Sequence, residues 1–412
     1  MRLPRLIATV VLSVGLLVLP ARAVATGQAL LRQLLLAEKK PDTQFMTPLA
    51  AIKRLFTEEQ IQADWFAPTF LATVPASQVQ QIVTSLQTGL GTYKGVQESG
   101  QDYLVIFERG SVLTKIVLDA GGRIAGLLFG PPRSLSINLN QATEQFKALP
   151  GRVSFVVVEG KSERVALNAT TPLAVGSAFK LAILDVLKSQ VASGKRSWHD
   201  VVELQPSWKS LPSGFLQNWP DGSLLTVQTL AALMISQSDN TATDSLIHLV
   251  GRQAIEAVTP RNRPFLTTRQ IFILKCAKNS ELLKRYRAGN EAERLAVLND
   301  LDKHPLPDTS DFGPNPTALD VEWFFTAQEL CALISRVADL PLMSINPGVA
   351  NAKDWERVAF KGGSEPGVLN LTTWLKARNG KSYCVAATWN SNTSLEEARF
   401  MTLYSAVIEG LK

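Results

Sequence analysis

Three short runs in this 412-residue chain carry residue types that can accept an acyl group and move a proton. The first is Ser177-Ala178-Phe179-Lys180, preceded by Gly176 and followed by the mostly apolar run Leu181 to Leu187. That context predicts a helix starting at Ser177, with Lys180 one turn further on the same face. A helix start favours negative charge near the serine oxygen. A lysine drawn into an apolar helix loses part of its preference for the charged form, so its amine can take the serine proton. A Ser-x-x-Lys match is expected by chance roughly once or twice in a chain of this size. The second run is Ser238-Asp239-Asn240, between the apolar stretches Leu230 to Ile235 and Leu246 to Val250. Ser238 can relay a proton to a leaving group. Asn240 can hydrogen-bond both Lys180 and a substrate carbonyl. The plainer reading of this run is a helix N-cap. The third is Lys361-Gly362-Gly363-Ser364, at the end of a strand. Its glycines let backbone lie close to a ligand. Lys361 can hold a substrate carboxylate and lower the proton affinity of Ser238. The Ser364 and Ser177 amides can together form an oxyanion hole. The plainer reading here is a hairpin turn.

Other chemistries find less support. The histidines are His199, His248 and His304, none paired at i, i+4, and no metal site is expected. Cys276, Cys331 and Cys384 are odd in number and widely spaced, which reads as buried thiols without a disulfide framework. The formal net charge is +6. Three of those charges, Arg2, Arg5 and Arg22, fall in a segment expected to be removed, leaving about +3 (6 − 3) and no argument for nucleic acid.

The elements that must position these residues are legible in outline. Arg2 and Arg5, the uncharged stretch Leu6 to Leu19, and Ala21-Arg22-Ala23 or Ala23-Val24-Ala25 read as a signal peptide over residues 1–23. About 14 apolar residues are short for a span of roughly 20, so an exported chain without a membrane span, periplasmic or extracellular, is expected. Residues 27–134 read as a small α+β domain. It has helices at Gln28 to Glu38 and Gln78 to Leu90, then strands at Tyr103 to Glu108, Val112 to Leu118 and Ile124 to Phe129. Pro131-Pro132 opens a linker. Residues 140–412 begin with the strand Val153 to Glu159 and its hairpin partner Arg164 to Asn168. A helical centre follows to about Leu340, then strands at Arg357 to Lys361, Val368 to Ala377 and Ser382 to Trp389, and a helix from Leu395 to Leu411. Strands at both ends with helices between imply one antiparallel sheet flanked by helices plus an all-helical subdomain, an α/β (α+β) fold.

The three runs, in this order and setting, resemble the serine β-lactamases and penicillin-binding proteins, the class A enzymes most of all. Val175 to Lys180 and Ser238-Asp239-Asn240-Thr241-Ala242 are similar to the family's flanks, and the resemblance covers roughly residues 150–412. It implies Ser177 as nucleophile, Lys180 as base or electrostatic aid, Ser238 and Asn240 as a second wall, and Lys361 on the strand edge. It implies no cofactor, and a small β-lactam, ester or peptide-like substrate. Gly362 stands where the family has a threonine or serine, a loss that Ser364 or Thr372 would have to compensate. The family's Glu-x-x-Leu-Asn pattern, whose glutamate activates the deacylating water, has no counterpart between Asn240 and Lys361. Glu291, Glu293, Asp308, Asp311 and Glu322 are the acids left to consider, with surface carboxylates the default for Glu291 and Glu293. The two-domain arrangement also resembles β-lactamase-like hydrolases of clavam biosynthesis clusters, which carry a cystatin- or isomerase-like (NTF2-like) N-terminal domain. The competing expectation is a penicillin-binding sensor or scaffold that acylates without turnover.

Overall fold

The computed structural model describes residues 46–134 and 136–412. The expected signal peptide and the helix at Gln28 to Glu38 lie outside them. Residues 47–412 form one compact unit. Its first part is α1 (Pro48–Thr57), α2 (Ala76–Leu90) and a four-stranded antiparallel meander of β1 (Tyr93–Ser99), β2 (Asp102–Phe107), β3 (Gly110–Leu118) and β4 (Ile124–Ser134). β1 was not apparent in the sequence. Its segment YKGVQES is half-exposed to exposed throughout, so no alternation marks it.

The second part is built on a five-stranded antiparallel sheet. Strands β5 (Arg152–Glu159) and β6 (Ser162–Leu167) come early in the chain. β11 (Arg357–Glu365), β12 (Val368–Lys376) and β13 (Ser382–Asn390) come late, in the order β11-β12-β13-β5-β6. Two apolar cores lie on its two faces. One packs Phe155, Val157, Leu371 and Trp389 against α3 (Leu139–Lys147) and the closing helix α12 (Glu397–Glu409). The other packs Val156 and Ala386 against α4 (Lys180–Ala192). In α4, Leu181, Ile183, Leu184 and Leu187 are completely buried, each contributing about 1.5–3 kcal/mol of burial free energy. α4 is therefore a buried axle, and its N-terminal end is fixed with the core.

The helical part continues through β8 (Val201–Glu203), β9 (Leu224–Thr226), α5 (Val227–Ser236), α6 (Asn240–Val250) and α7 (Arg252–Val258). A long excursion then carries α8 (Thr268–Lys275), α9 (Ser280–Ala288) and α10 (Glu291–Leu301). Its two ends are clasped by one side chain. Asn262 Nδ2 donates to Phe324 O at 3.1 Å, and Phe324 N donates to Asn262 Oδ1 at 2.8 Å. The chain re-enters as β10 (Phe324–Phe325), which pairs with β7 (Leu173–Ala174) just ahead of Ser177, and continues as α11 (Ala327–Val337). Among the described residues no helix is long and apolar enough to cross a membrane.

The cysteines correct the sequence reading. Cys331 on α11 and Cys384 on β13 form a disulfide, and only Cys276 is a free, buried thiol. A spacing of 53 residues carries no sequence signal. The two positions meet because α11 packs on the sheet face that Cys384 shares with Ala386.

Candidate active site

Ser177 lies in a 3-10 turn, Gly176–Phe179, and the α-helix proper starts at Lys180. The turn is held from both sides. Val175 N donates to Trp323 O at 3.1 Å, and Trp323 stacks on Phe179 with ring centroids 3.6 Å apart. On the other side lies β11, which as the edge strand has one flank unpaired by the sheet. Contact there is so close that a Cβ on Gly363 would stand 2.1 Å from Val175 O and 2.4 Å from Ser177 N. A Cβ on Gly176, whose φ is +48°, would stand 3.3 Å from Ser364 N. The Ser177 and Ser364 amides are thereby brought to the same seam.

The three sequence runs converge on one hydroxyl. Lys180 Nζ donates to Ser238 Oγ at 3.1 Å, and Lys361 Nζ donates to the same atom at 3.1 Å. Lys180 also donates to Ser238 O at 2.6 Å and Asn240 Oδ1 at 2.7 Å, and Lys361 to Gly362 O at 2.6 Å. The remaining amide of Asn240 donates to Leu211 O at 3.1 Å. Ser238 sits at φ +55°, a left-handed conformation that costs a non-glycine residue about 1–3 kcal/mol. The strain is held by neighbours. Asp239, fully buried, caps α6 through Ala242 N and takes the amides of Phe215 and Leu216, and Ser213 Oγ donates to Ser238 O at 2.7 Å. The N-cap of α6 is thus Asp239, which leaves the Ser238 hydroxyl free for the cleft.

Burial sets the charges. Lys180 is completely buried and held well below the usual lysine range, first by desolvation and then by Lys361, with Asp244 and Asp239 pulling the other way. Burial pushes Lys361 down to about 7. Burial also pushes Asp244 up to about 7, against the amides of Arg269 and Thr268 that it accepts. Asp244 was not singled out from the sequence. Its only signal there is an acid inside a helix that is otherwise buried.

Other expected residues fall differently. Thr372 is completely buried and donates to Asn370 Oδ1 at 3.0 Å, and the Ser364 hydroxyl donates to Glu397 Oε1 at 3.2 Å. Thr372 is thereby closed off inside the sheet, whereas the exposed Ser364 hydroxyl is turned to Glu397. Glu291 and Glu293 are exposed in the first turn of α10, and Glu293 closes a capping box with Asn290. Asp308 and Asp311 cap a 3-10 turn, with Lys278 bound to Asp311 at 2.6 Å. Of these five acids only Glu322 is buried, paired with Lys275.

Residues 138–285 match the family described as Beta-lactamase enzyme family. Among solved structures, the chain is similar to a β-lactamase from Sphaerobacter thermophilus DSM 20745. The two are 22% identical over 65% of this chain and 95% of that one, with a TM-score of 0.46. It is similar to PBP-A at 15% identity, 68% and 98% coverage and a TM-score of 0.45. A β-lactamase from Chitinophaga pinensis DSM 2588 follows at 15%, 66% and 98%, and 0.44. No curated protein matches the chain. The matched residues 138–285 include the first two of the three runs.

Proposed function

We propose that this protein is an exported active-site serine hydrolase that forms an acyl-enzyme on Ser177 with a β-lactam, ester or amide. The observation that carries this reading is the meeting of Lys180 and Lys361 on the Ser238 hydroxyl. In the neutral form that its burial favours, which gives up one of the three hydrogen bonds described above, Lys180 takes the proton as Ser177 Oγ attacks the carbonyl carbon. The oxyanion is met by the Ser177 and Ser364 amides. As the C–N or C–O bond breaks, Lys180 returns a proton through Ser238 Oγ to the leaving atom. Charged Lys361 keeps that hydroxyl a ready proton donor and attracts an anionic substrate. Export is supported by the basic–apolar–small leader and by a disulfide, which persists in oxidising compartments.

Deacylation is the slow step in this reading. Glu291, Glu293, Asp308 and Asp311 serve helix ends or face solvent, and Glu322 is committed to Lys275. General-base assistance contributes about 10²–10⁴-fold, so its loss favours a long-lived acyl-enzyme. That also keeps a penicillin-binding sensor as the second reading. Intact-mass spectrometry with a penicillin, a cephalosporin and a nitrophenyl ester, followed over time, tests both. The expected result is one acyl adduct on Ser177, absent in Ser177→Ala, with slow release of more than one equivalent of product. Substrate consumption stopping at one equivalent favours the sensor, and label retained in Ser177→Ala overturns both.

A further inference from the structure

The edge strand β11 carries opposite charges on the two sides of Ser177. Lys361, Gly363 and Glu365 alternate along it and share one face. Gly363, in the middle, is where the Ser177 turn rests. Lys361 and Glu365 are four residues apart, about 13 Å at ~3.3 Å per residue. Lys361 reaches towards Ser238, whereas Glu365 reaches the excursion, where its Oε1 accepts from Lys275 Nζ at 3.0 Å. Lys275 also pairs with Glu322, whose side chain is fully buried. Glu322 Oε1 is on Lys275, but Oε2 of the same carboxylate is buried and accepts no hydrogen bond. One ammonium thus stands against two carboxylates. Asp320, the other acid that Lys275 feels, is already held by Arg287 at 2.5 and 2.7 Å. A buried carboxylate short of partners is costly, and a second cation relieves that cost. The side chain of Glu365 keeps 26% of its surface exposed, on the strand whose middle carries the Ser177 turn, so a cation in solvent can reach it.

We propose that Glu365, with Glu322 and Lys275 behind it, forms a subsite for a protonated amino group on the acyl side of the substrate. The cleft then takes a zwitterion along β11, its carboxylate towards Lys361 and Ser238 and its ammonium towards Glu365. This rests on the acyl-serine reading given above. It differs from a purely structural role, in which the cluster only braces α8 against β11, because bracing has no preference among substrates.

The test uses a matched series of 6-acylaminopenicillanates with acyl chains of two to six carbons, each with and without a terminal amine. Acylation rates are read by intact mass on the full chain. The wild type is expected to react about tenfold or more faster with the amine at one or more chain lengths, the scale of one charged hydrogen bond. In Glu365→Gln that ratio falls towards one, and Glu365→Lys inverts it. Acylation of Ser177 with a ratio near one across the wild-type series overturns the subsite and leaves the acyl-serine reading standing. A ratio unmoved in Glu365→Gln also overturns it. Failure of every member to acylate Ser177 overturns both.

Discussion

Lys361 is a residue whose service to the cleft is bought with folding free energy. The lysine is buried, and burial brings its folded-state pKa to about 7, below the 10.5 of an ordinary lysine. Below pH 7 the lysine is charged in both folded and unfolded chains, so the full cost of burying the charge is present. Between pH 7 and about 10.5 the unfolded chain holds the proton more readily, so stability rises with pH over that window. Lys361→Met is therefore expected to be more stable than the wild type at pH 6, on the order of 1–3 kcal/mol. Its advantage should shrink as pH rises beyond 7, while acylation by an anionic β-lactam is lost. Melting curves from pH 6 to 9 check this, and a difference that grows with pH would contradict it. Ser238 shows the same trade, held at positive φ by Asp239 and Ser213 so that its hydroxyl stays available.

At the scale of elements, the site depends on how closely a 3-10 turn approaches a sheet edge. Gly363 permits that contact. In Gly363→Ala, the new methyl would occupy the space of Val175 O and Ser177 N, forcing the turn and β11 apart. Loss of one oxyanion donor costs about 10²–10³ in rate, so acylation should fall by at least that much. The melting temperature should fall as well, because the core on the α4 side reaches this seam through Val175, Ala178 and Phe179, but by less than the rate, because the other core lies on the opposite face of the sheet. Equal loss of fold and rate would show that the glycine serves packing alone. Such seams explain what could be read beforehand. Ser177, Lys180, Ser238, Asn240 and Lys361 stand out because each brings its own local context; the last four meet through hydrogen bonds, and the turn bearing Ser177 rests on the strand of Lys361. Asp244, and Glu365 with Lys275, did not stand out. Lys275 and Glu365 meet across 90 residues, through an excursion whose clasp at Asn262 has no sequence signature. Thr372 looked available because strand alternation alone does not say which face is closed.

Across the whole molecule, both cores draw their buried members from residues 142–411, although residues 47–412 make one compact unit. The preceding helices and meander lie against the outside of α12. A Cβ on Gly89 would stand 2.9 Å from Thr402 Oγ1, and Ser405 Oγ donates to Pro132 O at 3.1 Å. We propose that residues 136–412 fold cooperatively without residues 1–135, at a lower melting temperature because one face of α12 is uncovered. Calorimetry of the fragment decides this, and a broad, non-cooperative transition would refute it. The bond between Cys331 and Cys384 has a topological effect at this scale. Everything between those positions, including β11, β12 and the Lys361 to Ser364 run, belongs to a closed covalent ring. A protease that cuts once inside that ring opens it without releasing a fragment. The strand bearing Lys361 then stays tethered at both ends of the break, and the nicked chain keeps every part it needs to find its original form.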